Sequence, residues 1–168
     1  MPAGRREVLR KAAGGLALAG GALAGAALAD ADRALAAHSA DAEQLARLLA
    51  LERRLAAAYE DALARDAIEP ALGKLLLDHE REHVRGIEQA LVRRSPGQAQ
   101  APGQRLDFAS RRAFARSALE LERRTVDTYR DVLTTFHNDR LLQPLGSIMA
   151  CGAQHEVALR RVLGEDLL

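Results

Sequence analysis

The chain has 168 residues carrying 24 basic and 23 acidic side chains, a formal net charge of +1. That length holds one compact domain plus a short extra segment; the balanced charge, without a basic cluster beside an aromatic platform, argues against nucleic acid as a partner. Aromatics make up 3% of the residues and β-branched side chains are sparse beside Ala, Leu and Arg, which excludes a sheet-based fold and favours an all-α one.

The first segment differs in composition from the rest. Arg5, Arg6, Val8, Leu9 and Arg10 precede an uncharged run of Ala, Gly and Leu from Ala12 to Ala29, which ends in Ala27-Leu28-Ala29, a small-x-small cleavage pattern. This arrangement resembles a twin-arginine export signal. It implies a signal over residues 1–29 and passage across the cytoplasmic membrane to the periplasm, cell envelope or exterior. An uncleaved anchor helix is the alternative, since the 18 residues reach the lower length of a span although glycines interrupt them. Cleavage after Ala29 removes four basic residues and one acid and leaves a net charge of about −2. Membrane contact is thus expected only through export or an uncleaved signal.

Residues 30–40 read as an alanine-rich linker, and residues 41–165 as a four-helix bundle. The first bundle helix is expected over about 41–64, and the second from Pro70, which suits a first turn, to about Arg93. Residues 95–107 hold Pro96, Gly97, Pro102 and Gly103 and read as a loop. The third helix is expected over about 108–136 and the fourth over about 143–163, with Gly164 ending it. Fully extended, the 13-residue loop reaches about 43–47 Å, whereas a 25-residue helix is about 37 Å long. The loop can therefore cross the full length of the bundle and set the second and third helices parallel; an up-down-up-down bundle is the competing topology.

The bundle is an internal duplication. Leu51-Glu52-Arg53-Arg54, Tyr59, Asp61 and Leu63 return 70 residues later as Leu121-Glu122-Arg123-Arg124, Tyr129, Asp131 and Leu133. His83 with Ile87 and Leu91 returns 72 residues later as His155 with Leu159 and Leu163. Two repeated helical hairpins therefore carry the same acid and imidazole groups.

Steps of about 100° per residue give their direction. On the first helix Leu45, Leu48, Leu49, Leu55, Tyr59 and Leu63 surround Glu52; on the third, Ala115, Ala118, Leu119, Val126, Tyr129 and Leu133 surround Glu122. On the second helix Glu80 and His83 form an inward Glu-x-x-His opposite Lys74, Asp78, Arg81 and Arg85. The fourth helix presents His155 inward, with Gly152 where Glu80 stands in the first half. Unpaired buried carboxylates are costly. A cation held by Glu52, Glu80, His83, Glu122 and His155 offsets that cost; a hydrogen-bonded network, with the acids paired to histidinium or to Tyr59 and Tyr129, is the other solution. His79 and Cys151, each four residues before a site histidine, lie at the stripe edge, where packing is the expected role. Cys151 is the sole cysteine, so no intrachain disulfide forms. His38 in the linker and His137 at a helix end are expected in solvated or helix-terminal roles.

With this ordered set the region from Asp41 to Leu163 resembles the ferritin-like superfamily, in particular its small exported bacterial members. The resemblance implies an antiparallel, ferritin-like four-helix bundle with a carboxylate and histidine site: single glutamates at Glu52 and Glu122, a Glu-x-x-His at Glu80 and His83, and the histidine of a second such motif at His155. It also implies iron or manganese, one or two ions, with Tyr59 and Tyr129 as candidate catalytic residues that orient ligands or pass an electron. Gly152 departs from the pattern at the fourth glutamate. Two functions compete: a di-iron or di-manganese type oxidoreductase acting on oxygen, peroxide or ferrous iron, and a degenerate bundle without redox metal serving as a binding or scaffold module. The chain shows no further helix after Leu163 of the kind that builds a cage, so a monomer or homodimer is expected.

Overall fold

The computed structural model describes residues 5–91 and 105–165, with side chains from residue 34 onward. Its elements are α1 (Arg5–Ala64), α2 (Pro70–Leu91), α3 (Arg111–Thr135) and α4 (Asp139–Leu163). The chain divides into two compact units, Met1–Ala37 and His38–Leu168. The first is helical from Arg5, and the second is the four-helix bundle. The side chains of the expected signal, residues 1–29, the expected end of the second helix near Arg93 and residues 95–104 of the expected loop lie outside the described residues. Among the described residues no helix is long and apolar enough to cross a membrane.

Residues 30–40, the expected linker, are helical: neither proline nor glycine interrupts this alanine-rich stretch, and alanine is the strongest helix former. The helix ends in the bundle follow local chemistry. Ahead of α2, the Glu69 carboxylate accepts from the amides of Ala71 and Leu72 at 3.0 and 2.8 Å, and Pro70 takes the first position, where its missing N–H costs nothing.

Helix α3 starts three residues later than Phe108, because Ser110 caps it by accepting from the Ala113 amide at 3.1 Å. Phe108 instead stacks on Phe114, with the Arg65 guanidinium 4.9 Å from its ring centre. Helix α4 starts four residues earlier than Gln143, because Asn138 caps the Arg140 amide and leaves Pro144 inside the helix. Gly164 closes α4 in the left-handed region at φ 71°, where the amides of Gly164 and Glu165 reach the carbonyls of Arg161 and Arg160 at 3.1 and 3.0 Å.

Direction is fixed by the side chains that meet. Arg53 pairs with Glu88 at 2.7 Å and Glu60 with Arg81 at 3.2 Å, so α1 and α2 run antiparallel. Gln44 bonds Thr135 at 2.8 Å and Tyr59 bonds Glu122 at 2.5 Å, so α1 and α3 are antiparallel too. Helices α2 and α3 are therefore parallel, the ferritin-like topology rather than up-down-up-down.

The core has two apolar clusters. One gathers Leu55, Tyr59, Leu76, Phe114, Leu121 and Leu159; the other gathers Leu45, Leu48, Ile87, Tyr129, Val132 and Leu145. Along each helix the polar site residues fall between the two clusters, so a charged layer crosses the bundle at mid-height.

Candidate metal centre

Each of the four helices contributes to that layer. Helix α1 supplies Glu52, α2 supplies Glu80 and His83, α3 supplies Glu122 and α4 supplies His155. Glu52, Glu80 and Glu122 are each 1% exposed and His155 3%. Helical periodicity accounts for this, because each acid lies on the stripe of its own helix that also carries core leucines, tyrosines or alanines.

The five side chains form two triads that share one member. Ligand atoms of Glu52, Glu80 and His83 lie within 4.8 Å of one another, and so do those of Glu80, Glu122 and His155. His83 Nδ1 stands 3.1 Å from Glu52 Oε2 and 3.4 Å from Glu80 Oε2. His155 Nδ1 stands 2.9 Å from Glu80 Oε1 and 3.2 Å from Glu122 Oε1. Glu80 thus sits between the two halves, one oxygen toward each imidazole.

The tyrosines cross between the halves. Tyr59 donates to Glu122 Oε1 at 2.5 Å, and Tyr129 donates to Glu52 Oε1 at 2.7 Å. Glu52 and Glu122 therefore each accept from one tyrosine and meet one imidazole. Glu80 differs: both of its oxygens are buried without a hydrogen bond of acceptable direction, although both are within ion-pair range of an imidazole. An orphaned buried carboxylate flanked by two imidazole nitrogens has the donor chemistry of a metal ligand.

Burial and proximity reset the proton affinities. Burial raises the Glu52 carboxyl to about 8, against the pull of His83, and burial also raises Glu122. For Glu80 burial acts in the same direction, but contacts with His155 and His83 outweigh it and hold the group near about 2. Burial would lower the imidazoles, yet Glu52 and Glu80 lift His83 to about 11, and Glu122 and Glu80 lift His155 to about 10. Burial pushes both tyrosines well above their ordinary value, so they remain hydrogen-bond donors. Without a metal the layer is a proton-rich network centred on an ionised Glu80.

Gly152 lets Val126 pack closely beside these groups. A Cβ built there would lie 3.0 Å from Val126 Cγ2 and 3.8 Å from Glu122 Oε2. A small cavity at this place is lined by Glu52, Glu80, His83, Glu122, Tyr129 and Gly152, among others.

Two polar contacts escape sequence reasoning. Asp41, 3% exposed, accepts from the His137 amide at 2.9 Å and lies 3.2 Å from its Nδ1. A lone aspartate 96 residues away from its partner leaves no periodic signal. His79 and Cys151 are part-buried, as the stripe edge implies, but they also contact the outer nitrogen of His155.

A family model described as a ferritin-like domain matches residues 40–165. Among solved structures the chain is similar to one described as ferritin like, diiron-carboxylate proteins from Bacillus anthracis str. Ames, with a TM-score of 0.65 and 16% identity over 76% of this chain and 97% of that one. That likeness concerns the fold. No curated protein matches the chain.

Proposed function

The chain belongs to the ferritin-like domain family, and from that premise we propose that its mid-bundle layer holds one or two iron or manganese ions in an exported oxidoreductase. The buried carboxylate of Glu80, set between two imidazoles without a well-directed hydrogen bond, is the observation that carries this reading. Glu80 would bridge, Glu52 and His83 would hold one ion, and Glu122 and His155 the other. Three carboxylates bring a charge of −3 against +4 for two divalent ions, a balance a single anion completes. An ion held there would supply one-electron chemistry toward oxygen, peroxide or ferrous iron as substrate.

The protein's own groups set the conditions for that chemistry. Tyr59 and Tyr129 each hold one oxygen of Glu122 and Glu52 and so fix the orientation of those carboxylates. The apolar clusters on either side keep bulk water from the layer. Gly152 stands where the first half carries Glu80, and only a small cavity lies beside it, lined by Glu52, Glu80, His83 and Glu122 among others.

Metal analysis of protein purified from its native host tests the proposal. One or two equivalents of iron or manganese per chain are expected, lost or strongly reduced in Glu52→Gln and Glu122→Gln. A second reading, a scaffold without redox metal, draws on the pairing of Glu52 and Glu122 with tyrosine and imidazole. It predicts that the same variants are neutral or stabilising and leave metal content unchanged.

Export rests on Arg5, Arg6, Val8, Leu9 and Arg10 ahead of the uncharged run ending at Ala29. Fusing residues 1–40 to a reporter tests it: export that depends on the twin-arginine route is expected, and a reporter retained inside the cell contradicts it.

A further inference from the structure

The duplication places a second group of donors on the outer side of His155. His79 on α2 and Cys151 on α4 occupy equivalent positions in the two halves, each one helical turn before a site histidine and on the same helix face. His79 Nδ1 lies 3.1 Å from His155 Nε2. Cys151 Sγ lies 3.6 Å from His79 Nδ1 and 3.4 Å from His155 Nε2. The two imidazole rings are within 9° of parallel. His155 therefore turns Nδ1 toward Glu80 and Glu122 and Nε2 toward this group.

We propose that His79 Nδ1, Cys151 Sγ and His155 Nε2 form a second metal position, for a borderline or soft ion such as Zn²⁺, Cu⁺ or Co²⁺, at the edge of the seam between α2 and α4.

Geometry carries the assignment. A tetrahedral ion with bonds of about 2.0–2.1 Å to nitrogen and about 2.3 Å to sulfur sets its donors about 3.3 Å apart for two nitrogens and about 3.6 Å apart for nitrogen and sulfur. The three separations of 3.1, 3.4 and 3.6 Å follow that triangle. Hydrogen bonding alone serves it poorly. A ring nitrogen is either donor or acceptor, so three mutually close atoms cannot close a hydrogen-bonded ring, and one edge lacks a proton of its own.

Exposure and donor type point the same way. His79 and Cys151 are part-exposed while His155 is buried, so an ion reaches the group from solvent and keeps room for a fourth, non-protein ligand. Thiolate and imidazole prefer softer ions than a carboxylate layer does. The two positions would therefore sort different metals while sharing one imidazole. Binding displaces the Cys151 thiol proton and any proton on His155 Nε2 to solvent; with both positions filled, His155 bridges as imidazolate.

Titration of the metal-free full chain with Co²⁺ alone tests the proposal, because a thiolate-to-cobalt charge-transfer band cannot arise from the carboxylate layer. One equivalent should produce the band, Cys151→Ser should abolish it, and His79→Ala should weaken binding at least tenfold. Glu52→Gln, which alters only the layer, should keep the band, so failure of the mid-bundle site and failure of this one are told apart. Absence of the band in the unsubstituted chain, an unchanged isotherm in His79→Ala, or loss of the band in Glu52→Gln would overturn the proposal.

Discussion

Tyr59 on α1 reaches across the bundle to donate a 2.5 Å hydrogen bond to Glu122 on α3, 63 residues away in the chain. The counterpart, Tyr129 to Glu52 at 2.7 Å, repeats the contact in reverse. The two contacts tie α1 to α3 in both directions across the charged layer. Each bond stabilises the charged layer and also aims a carboxylate.

Removal of either hydroxyl leaves a buried carboxylate short of a donor. Tyr59→Phe and Tyr129→Phe should each lower the stability of the metal-free protein by about 1–3 kcal/mol, read from urea denaturation. Because both contacts are buried tyrosine-to-glutamate bonds, similar losses are expected. A loss confined to one variant would show that the two contacts differ in energy.

The proton affinities of the layer give the metal-free protein a defined pH profile. Glu80, held near about 2 in the folded chain against an ordinary 4.5, contributes stability that is present above 4.5 and lost as the pH falls toward 2. Glu52, raised to about 8, contributes stability present below 4.5 and lost as the pH rises through 8. His83 and His155, raised to about 11 and about 10, contribute stability that is complete below 6.5 and lost as the pH rises through those values. Thermal melts of metal-free protein should therefore peak at mildly acidic pH and fall progressively on the alkaline side.

The same protons must leave when a cation arrives. Binding should release more than one proton near neutral pH, chiefly from His83, His155 and Glu52, and should tighten as pH rises. Calorimetry in two buffers of different ionisation enthalpy measures the number. A value of zero would contradict the reading of these groups as ligands.

Much of this site is legible in the sequence because burial of a periodic residue is a property of one helix. Steps of 100° place Glu52, Glu80, Glu122 and His155 inward, and each is buried. Which neighbour each would meet is a property of two helices and is not legible. The pairings of Tyr59 with Glu122 and of Tyr129 with Glu52 depend on α1 lying antiparallel to α3, which the loop length permits but does not fix. Helix ends are missed where a single cap outweighs the apolar pattern, as at Ser110 and Asn138.

Gly152 provides a packing prediction. Alanine in a helix interior is normally favoured over glycine by about 1 kcal/mol, but its Cβ would press within 3.0 Å of Val126 Cγ2, and a β-branched side chain yields little. Gly152→Ala should therefore fail to stabilise the protein in the native background. It should regain the missing stability when Val126 is also alanine, with a coupling of about 0.5 kcal/mol or more in a double-mutant cycle. Additive effects would remove the steric account of this glycine.

A metal centre in the charged layer would have Glu80 at its middle. Anomalous X-ray diffraction from crystals of the full chain grown with Mn²⁺ would locate its ions. One or two anomalous peaks are expected within bonding distance of a Glu80 oxygen, each also contacting the Glu52–His83 or the Glu122–His155 pair. A layer free of anomalous peaks, with Glu52 and Glu122 still bonded to Tyr129 and Tyr59 and both imidazoles still on Glu80, would contradict it.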